Sequence, residues 1–259
     1  MHSTCKTLKN KKIFLKLNRL SRANFEEESE LLDFPHEPNQ NYNHPPYDDL
    51  PVIDQPNLIG VRCAAHDIQL SVYDVLKRRT VSNFLAKVRK LVKKLRSQPY
   101  INSFKRDKSK NMPIFDGETR WGSSYLMVSR IDEQKAFINE LLPVDLQNEY
   151  NEHFWNMVEK FVRSALPLYI LTKGIQEESL TCGTIYLYWK ECCLRLEELN
   201  DSLAKQLRDA LQNRQGMWFD NPAFIAALYV DPRMHEFDPP VLSDERKEVA
   251  VVIIIIFLL

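Results

Sequence analysis

The segment Arg62-Cys63-Ala64-Ala65-His66-Asp67-Ile68-Gln69-Leu70 is the most informative stretch of this chain. It overlaps the short apolar run from Asn57 to Cys63, which is bounded by Pro56 and is the best strand candidate in the sequence. Helical spacing takes over immediately afterwards, since one usable apolar face is formed by Ile68, Leu70, Val72, Val75 and Leu76. The sequence therefore predicts a strand that ends at Cys63 and a helix that follows it.

Two further stretches follow in order: Asp116-Gly117-Glu118-Thr119-Arg120-Trp121-Gly122-Ser123-Ser124-Tyr125-Leu126-Met127, and Leu228-Tyr229-Val230-Asp231-Pro232-Arg233. Together the three stretches resemble the hAT-type DNA transposases, the group that also gave rise to many zinc finger BED proteins. In that family a Cys-Ala-Ala-His strand end precedes a helix, a Thr-Arg-Trp-Asn-Ser turn and a Leu-Asp-Pro-Arg helix end. The resemblance runs from about Asn57 to about Met234.

This resemblance implies a fold. In the family, an RNase H-like α/β core is interrupted after its last strand by a large all-helical insertion. We therefore expect a mainly α protein: the helical insertion domain with a single strand remnant of the core. Three parts are expected, namely a basic and then acidic, proline-rich segment (1–55), the strand with the helical domain (56–235), and a tail outside the family pattern (236–259).

Hydrophobic periodicity predicts the individual helices. The clearest helix has its apolar positions at i, i+3, i+4 and i+7 spacing, with Thr80 as its expected N-cap: Val81, Phe84, Leu85, Val88, Leu91, Val92 and Leu95. A loop is expected over 97–116, and further helices over 121–142, 144–172 with a kink at Pro167, and 180–213 with a break near Gly183. Asn221-Pro222 is expected to start a short final helix, 224–230.

The tail ends in an uninterrupted apolar run, Val249 to Leu259. Eleven residues are too few to span a bilayer, which needs about 20, so no membrane partner is expected. Three interpretations remain open for this run: translated sequence from a truncated or shifted gene, an aggregation-prone strand, or a shortened tail anchor.

A formal net charge of zero hides a strong asymmetry along the chain. Residues 23–61 hold nine acidic residues and no Lys or Arg, whereas residues 77–110 hold thirteen Lys or Arg and one acid. The basic segment, including Lys90, Lys93 and Lys94, is a candidate for weak and non-specific DNA binding. The alternative is an ordinary solvated helix face.

Arg120 and Trp121 are the sharpest pair of candidate functional residues. By resemblance they lie near DNA, where an exposed indole stacks on an unpaired base and a guanidinium holds a phosphate. The alternative is that Trp121 packs into the helical domain while Arg120 pairs with Asp116 or Glu118. The sequence leaves both interpretations open.

Catalysis by the family needs two metal ions, Mg²⁺ or Mn²⁺, held by two Asp and one Glu. No catalytic carboxylate and no metal ligand is assigned in this chain, and no cofactor is expected. Cys63 and His66 form half of a zinc site only. By resemblance they lie close to the active site; the alternative is a half-buried His66 that is hydrogen-bonded at a strand-to-helix junction.

The sequence thus predicts a truncated, catalytically inactive transposase-like protein that binds DNA or a protein partner. Two alternatives stay open: a fragment of an active transposase, and a helical interaction module without nucleic acid. The BED finger and the C-terminal dimerisation segment of the family are not found, so no homodimer is inferred. Five cysteines without a disulfide pattern indicate a reducing compartment, and the resemblance indicates the nucleus, with the cytoplasm otherwise.

Overall fold

The computed structural model describes residues 63–98, 100–117, 120–177, 180–237 and 240–258. Within these residues it contains helices and no strand, so the protein is mainly α, as the sequence predicts. The expected strand remnant lies outside the described residues except for Cys63, and so does segment 1–55. The helices are α1 (Ala64–Leu76), α2 (Arg79–Leu95), α3 (Tyr100–Arg106), α4 (Trp121–Glu133), α5 (Lys135–Leu141), α6 (Val144–Glu149), α7 (Glu152–Gly174), α8 (Cys182–Glu198), α9 (Ser202–Arg214), α10 (Gly216–Phe219), α11 (Pro222–Val230) and α12 (Asp244–Leu258), with a 3₁₀ turn at Pro232–Glu236.

Helix α2 confirms the periodicity of the basic segment, because its apolar positions are all buried. The prediction that Thr80 caps it was wrong. The helix begins two residues earlier than predicted, at Arg79, and its N-cap Arg78 has extended backbone geometry and makes no side-chain cap. Helix α11 begins as expected, because Asn221 Oδ1 accepts from the N–H groups of Ala223 and Phe224.

Four predicted segments differ from the structure. The expected helix over 121–142 is divided at Gln134, and part of the expected loop over 97–116 is helix α3. The expected helix over 144–172 is divided at Tyr150 and Asn151 into α6 and α7. The expected break near Gly183 lies instead between α8 and α9, where Asn200 has a left-handed φ of 49° and Asp201 caps α9. Such breaks depend on caps and on single backbone torsions, which leave little trace in hydrophobic spacing.

The long helix α7 is the centre of the packing. It packs along α4 and also contacts α8 and α9, while α1 packs on α9. Pro167 lies inside α7, where it is buried, and the helix continues to Gly174. One core forms from all these helices, and a surface pair between Arg214 and Asp74 (2.9 Å) joins α9 to α1.

The C-terminal apolar run is helical, which corrects the expectation of a strand. Helix α12 packs against α11 and buries Ala250 completely. Its opposite side leaves a row of large apolar side chains exposed: Val249, Val251, Val252, Ile255 and Ile256. Among the helices that the structure describes, none is long and apolar enough to cross a membrane.

Candidate nucleic-acid interface

The outer face of α2 carries Lys90, Lys93 and Lys94, all three exposed, and we call these residues the basic face. They lie outside because Val88, Leu91, Val92 and Leu95 face the core at the complementary helical positions. The side chain of Lys90 is 68% exposed. The helix thus brings the three lysines together within two turns.

The cations of the basic face differ in how they are held. Lys90 Nζ lies 2.8 Å from Glu149 Oε1, and Lys94 Nζ lies 6.0 Å from the centre of the Tyr100 ring. Lys93 has no ion pair within the part of the chain that the structure describes. Lys93 and Lys94 also lie in the last turn of α2, where positive charge stabilises the helix dipole. An ordinary solvated helix face therefore also explains the positions of Lys93 and Lys94.

An extended segment, residues 113–117, runs along the C-terminal half of α2. At one end Arg96 Nη1 donates to the Pro113 carbonyl oxygen over 2.7 Å. At the other end Arg89 donates from Nε to Asp116 Oδ1 over 2.9 Å and from Nη2 to Asp116 Oδ2 over 2.6 Å. Two arginines of α2 therefore hold the segment that leads into the Arg120-Trp121 motif.

Asp116 is the anchor of this segment, and only 7% of its side chain is exposed. Ser124 Oγ of α4 also donates to Asp116 Oδ2, over 2.8 Å. Burial on its own raises the pKa of the Asp116 carboxyl, yet the bonds from Arg89 and Ser124 lower that pKa by more, so it lies below the usual 3.8. Arg89, and not Arg120, is the arginine that pairs with this carboxylate in the described residues. Glu118, the other expected partner of Arg120, lies outside them.

Trp121 is buried, with 1% of its surface exposed. Its ring meets Tyr169 of α7 edge-on, with centroids 6.4 Å apart, and Tyr169 in turn stacks on Tyr125. The indole Nε1 is buried and has no hydrogen-bond partner among the residues that the structure describes. In this conformation the ring offers no face to a base, so the geometry favours the packing interpretation of Trp121.

Arg120 lies next to Trp121 in sequence but is exposed. Its carbonyl oxygen accepts from Ser123 Oγ over 2.6 Å, and the same hydroxyl contacts both Gly117 N and Gly117 O. Ser123 thereby closes the turn in front of α4. The Arg120 side chain points away from the core and remains a candidate for contact with a phosphate.

Cys63 and His66 are both in the exposed class at the start of α1. The strand before Cys63 lies outside the described residues, so a half-buried His66 that is hydrogen-bonded at a strand-to-helix junction stays a prediction. Cys63 is the N-cap of α1, and its carbonyl oxygen accepts from the N–H groups of His66 and Asp67. Within the described residues, no group of three or more His, Cys, Asp and Glu is placed to hold a metal ion.

The sequence reasoning missed Asp67, the neighbour of His66. Its carboxylate is buried, and Trp218 Nε1 donates to its Oδ2 over 2.5 Å. This bond joins α1 to α10, 151 residues away. A signal for this buried acid exists in the sequence, because helical spacing places Asp67 on the apolar face of α1. It lies one turn before Ser71 and Val72, which are also buried.

The Asp231-Pro232-Arg233 motif forms the local ion pair that its sequence suggests, with Arg233 Nη2 2.5 Å from Asp231 Oδ2. The motif also docks on the start of α8, because Arg233 donates to Thr181 Oγ1 and Thr184 Oγ1. Gly183 makes this docking possible. A Cβ at that position would collide with Asp231 Oδ2 and would lie 2.9 Å from Arg233 Nη2.

Comparisons with known proteins agree with the first two motifs. Residues 61–164 match the family model described as the ZBED1 RNase-like helical domain. The human (Homo sapiens) zinc finger BED domain-containing protein 4 is 22% identical over 188 residues. The chain is similar to transposase-like proteins of the hAT/BED type. No solved structure matches it significantly.

The match to the human protein covers 67% of this hAT/BED-type chain and 16% of the human protein, so the chain spans about a sixth of the length of that curated relative. The family match includes the Cys63-x-x-His66 helix, the basic face and the Arg120-Trp121 motif. The Asp231-Pro232-Arg233 motif lies beyond it.

Proposed function

We propose that this hAT/BED-type helical domain binds the DNA backbone weakly and without sequence preference through the basic face of α2. The observation that carries the proposal is the placement of Lys90, Lys93 and Lys94 on one exposed helix face. Each lysine that neutralises a phosphate releases counterions, so the affinity falls steeply as the salt concentration rises. By its resemblance to the family, the protein acts in the nucleus.

We also propose that this chain does not cleave DNA on its own. Two-metal phosphoryl transfer needs carboxylates whose oxygens are open to the metal ions. Asp116 and Asp231 are instead bonded to arginines, and Asp201 is bonded to the N–H groups at the start of α9. Asp67 is buried against Trp218. These four acids support the fold in their present positions.

The test of DNA binding is a pair of charge-matched double variants. Lys93→Glu with Lys94→Glu changes the basic face, and Lys190→Glu with Lys205→Glu makes the same change of charge at exposed positions on α8 and α9. Affinity for a duplex of about 20 base pairs is measured by fluorescence anisotropy at several salt concentrations. We expect the first variant to lose affinity and to show a salt slope smaller by about 2, and the second to stay close to wild type.

Equal losses from the two variants would overturn the proposal, because only the net charge would then matter. The proposal would also fail if neither variant changed DNA affinity, because the basic face would then not be the DNA-binding surface. The cleavage proposal is tested by incubating the same duplex with Mg²⁺ or Mn²⁺. Metal-dependent nicking that Asp116→Asn or Asp231→Asn abolished in a folded protein would contradict it.

A further inference from the structure

Phe115 is an exposed aromatic residue that lies beside the basic face. Its position follows from the two ends of its segment, since Pro113 is bonded to Arg96 and Asp116 is bonded to Arg89. Because the two ends of the segment are bonded in this order, the segment runs alongside α2 in the opposite direction. The Phe115 ring contacts Arg96, and Lys93 lies three residues before Arg96, so the cation that the ring contacts is a surface neighbour of Lys93 on α2.

The Phe115 ring is fixed in place but is not covered. Its surface is 41% exposed, and the guanidinium carbon of Arg96 lies 5.6 Å from the ring centre. Such a cation–π contact holds the ring in one orientation without burying it in the core. Large apolar side chains on a charged surface are ordinary one at a time. A ring that contacts one arginine of a helix whose exposed face carries three lysines has the composition of a surface that binds unpaired bases.

We propose that Phe115 is a stacking platform for an unpaired base, and that the basic face with Phe115 prefers single-stranded DNA to duplex DNA. The inference rests on the proposed function, because the lysines of the basic face supply the contacts to the phosphates. In a duplex the bases are paired and stacked on one another, so their faces are closed to the ring. In a single strand a base turns out and covers Phe115 while the backbone follows α2.

The experiment compares two probes, an unstructured thymine oligonucleotide of about 20 nucleotides and a duplex of the same length. Phe115→Ala removes the ring, Phe115→Leu keeps apolar volume without aromatic character, and Phe115→Trp restores a platform. We expect Phe115→Ala and Phe115→Leu to weaken single-strand binding by about 5- to 150-fold and to change duplex binding by less than about 2-fold. Phe115→Trp should bind the single strand at least as tightly as wild type.

Salt dependence separates stacking from charge. The loss caused by Phe115→Ala should be similar at low and high salt, whereas the loss caused by Lys93→Glu with Lys94→Glu should shrink as salt rises. Melting temperatures of all variants show whether they are folded. Because Phe115 is exposed, we expect them to stay close to wild type.

Failure of this inference can be distinguished from failure of the proposed function. Suppose that the lysine variant loses affinity for both probes. If Phe115→Ala then keeps its affinity for both, or loses it equally for both, Phe115 is no stacking platform although the basic face binds DNA. If Phe115→Leu binds the single strand as wild type does, the contact is apolar and not aromatic, and the inference also fails. If the lysine variant binds both probes normally, the proposed function itself fails.

Discussion

The Trp121 side chain has two interpretations, a DNA contact and a packed core residue, and its surroundings in the fold favour the second. An indole next to an arginine in a turn has the chemistry of a DNA contact. In the folded protein, the ring lies between α4 and α7 and meets Tyr169 edge-on. Arg120 and Trp121 are adjacent in sequence but are separated by burial, since only the arginine faces solvent.

Trp121→Ala should therefore lower the free energy of unfolding by about 3 to 5 kcal/mol, because it leaves a large cavity in the core. Trp121→Phe should cost less, since it keeps a ring and removes an N–H group that has no partner. Urea denaturation measures both values. A loss below about 1 kcal/mol for Trp121→Ala, together with weaker DNA binding, would support the stacking interpretation instead.

The Asp116 carboxyl predicts a particular dependence of stability on pH. Its pKa is lower in the folded protein than the usual 3.8, because the bonds from Arg89 and Ser124 outweigh burial. A lowered folded pKa adds stability above the unfolded pKa, and that stability disappears as the pH falls through the folded pKa. Asp116→Asn should cost about 1 to 3 kcal/mol near pH 7, and the difference from wild type should vanish well below pH 3.8.

Asp74→Asn is the control for this experiment. Asp74 also pairs with an arginine, Arg214 at 2.9 Å, but 49% of its side chain is exposed. Exposed pairs contribute only about 0.2 to 1 kcal/mol, so this variant should stay close to wild type at every pH. If Asp116→Asn behaves as Asp74→Asn does, the segment 113–117 is not anchored through its carboxylate.

At the scale of helices, two glycines occupy the same position with opposite consequences. Gly122 and Gly183 are each the second residue of a helix, α4 and α8. A Cβ on Gly122 would meet Tyr169 at an ordinary 3.5 Å, whereas one on Gly183 would collide with Asp231. A contact with a distant motif therefore leaves no room for a side chain at Gly183, while no such contact restricts Gly122.

Gly183→Ala should destabilise the protein by about 1 to 3 kcal/mol, because the start of α8 and the Asp231-Pro232-Arg233 motif must separate. Gly122→Ala should be neutral or stabilising by up to about 1 kcal/mol, since alanine favours a helix more than glycine does. Thermal unfolding of the two variants provides the comparison. A stable Gly183→Ala protein would show that the motif does not dock on α8.

At the scale of the whole molecule, helix α12 leaves an exposed apolar surface next to α11. Its outer side is formed by β-branched residues, including Val252 and Ile256, that are more than half exposed. Contiguous apolar patches on a protein surface promote association. The charge asymmetry is also a property of the whole molecule, since many of the cations lie in residues 77–110, on and around α2.

Val252→Lys with Ile256→Lys should reduce self-association, measured by analytical ultracentrifugation, without lowering the melting temperature. Ala250→Lys is the matched control on the buried side of α12, and it should lower the melting temperature because it places a charge against α11. If the Val252→Lys, Ile256→Lys variant loses as much stability as Ala250→Lys does, the outer side of α12 is also packed.

The sequence by itself determined the helical class, the basic face and the start of α11. These features depend on spacing, charge and capping residues within one segment, such as Val88, Leu91 and Leu95 on α2 or Asn221 before α11. The three ordered motifs also led to the transposase-like assignment, which residues 61–164 confirm.

Only the tertiary structure decided which polar groups meet. In the sequence Arg89 is one of thirteen cations in its segment, whereas in the structure it binds Asp116. Nothing near Asp67 in the sequence indicates its partner, Trp218. The tertiary structure also decided that Trp121 is buried and Phe115 exposed, although both are aromatic residues of one short stretch. Hydrophobic spacing reports which face of a helix is buried, but contacts between distant segments depend on how the helices pack, and no local pattern contains that information.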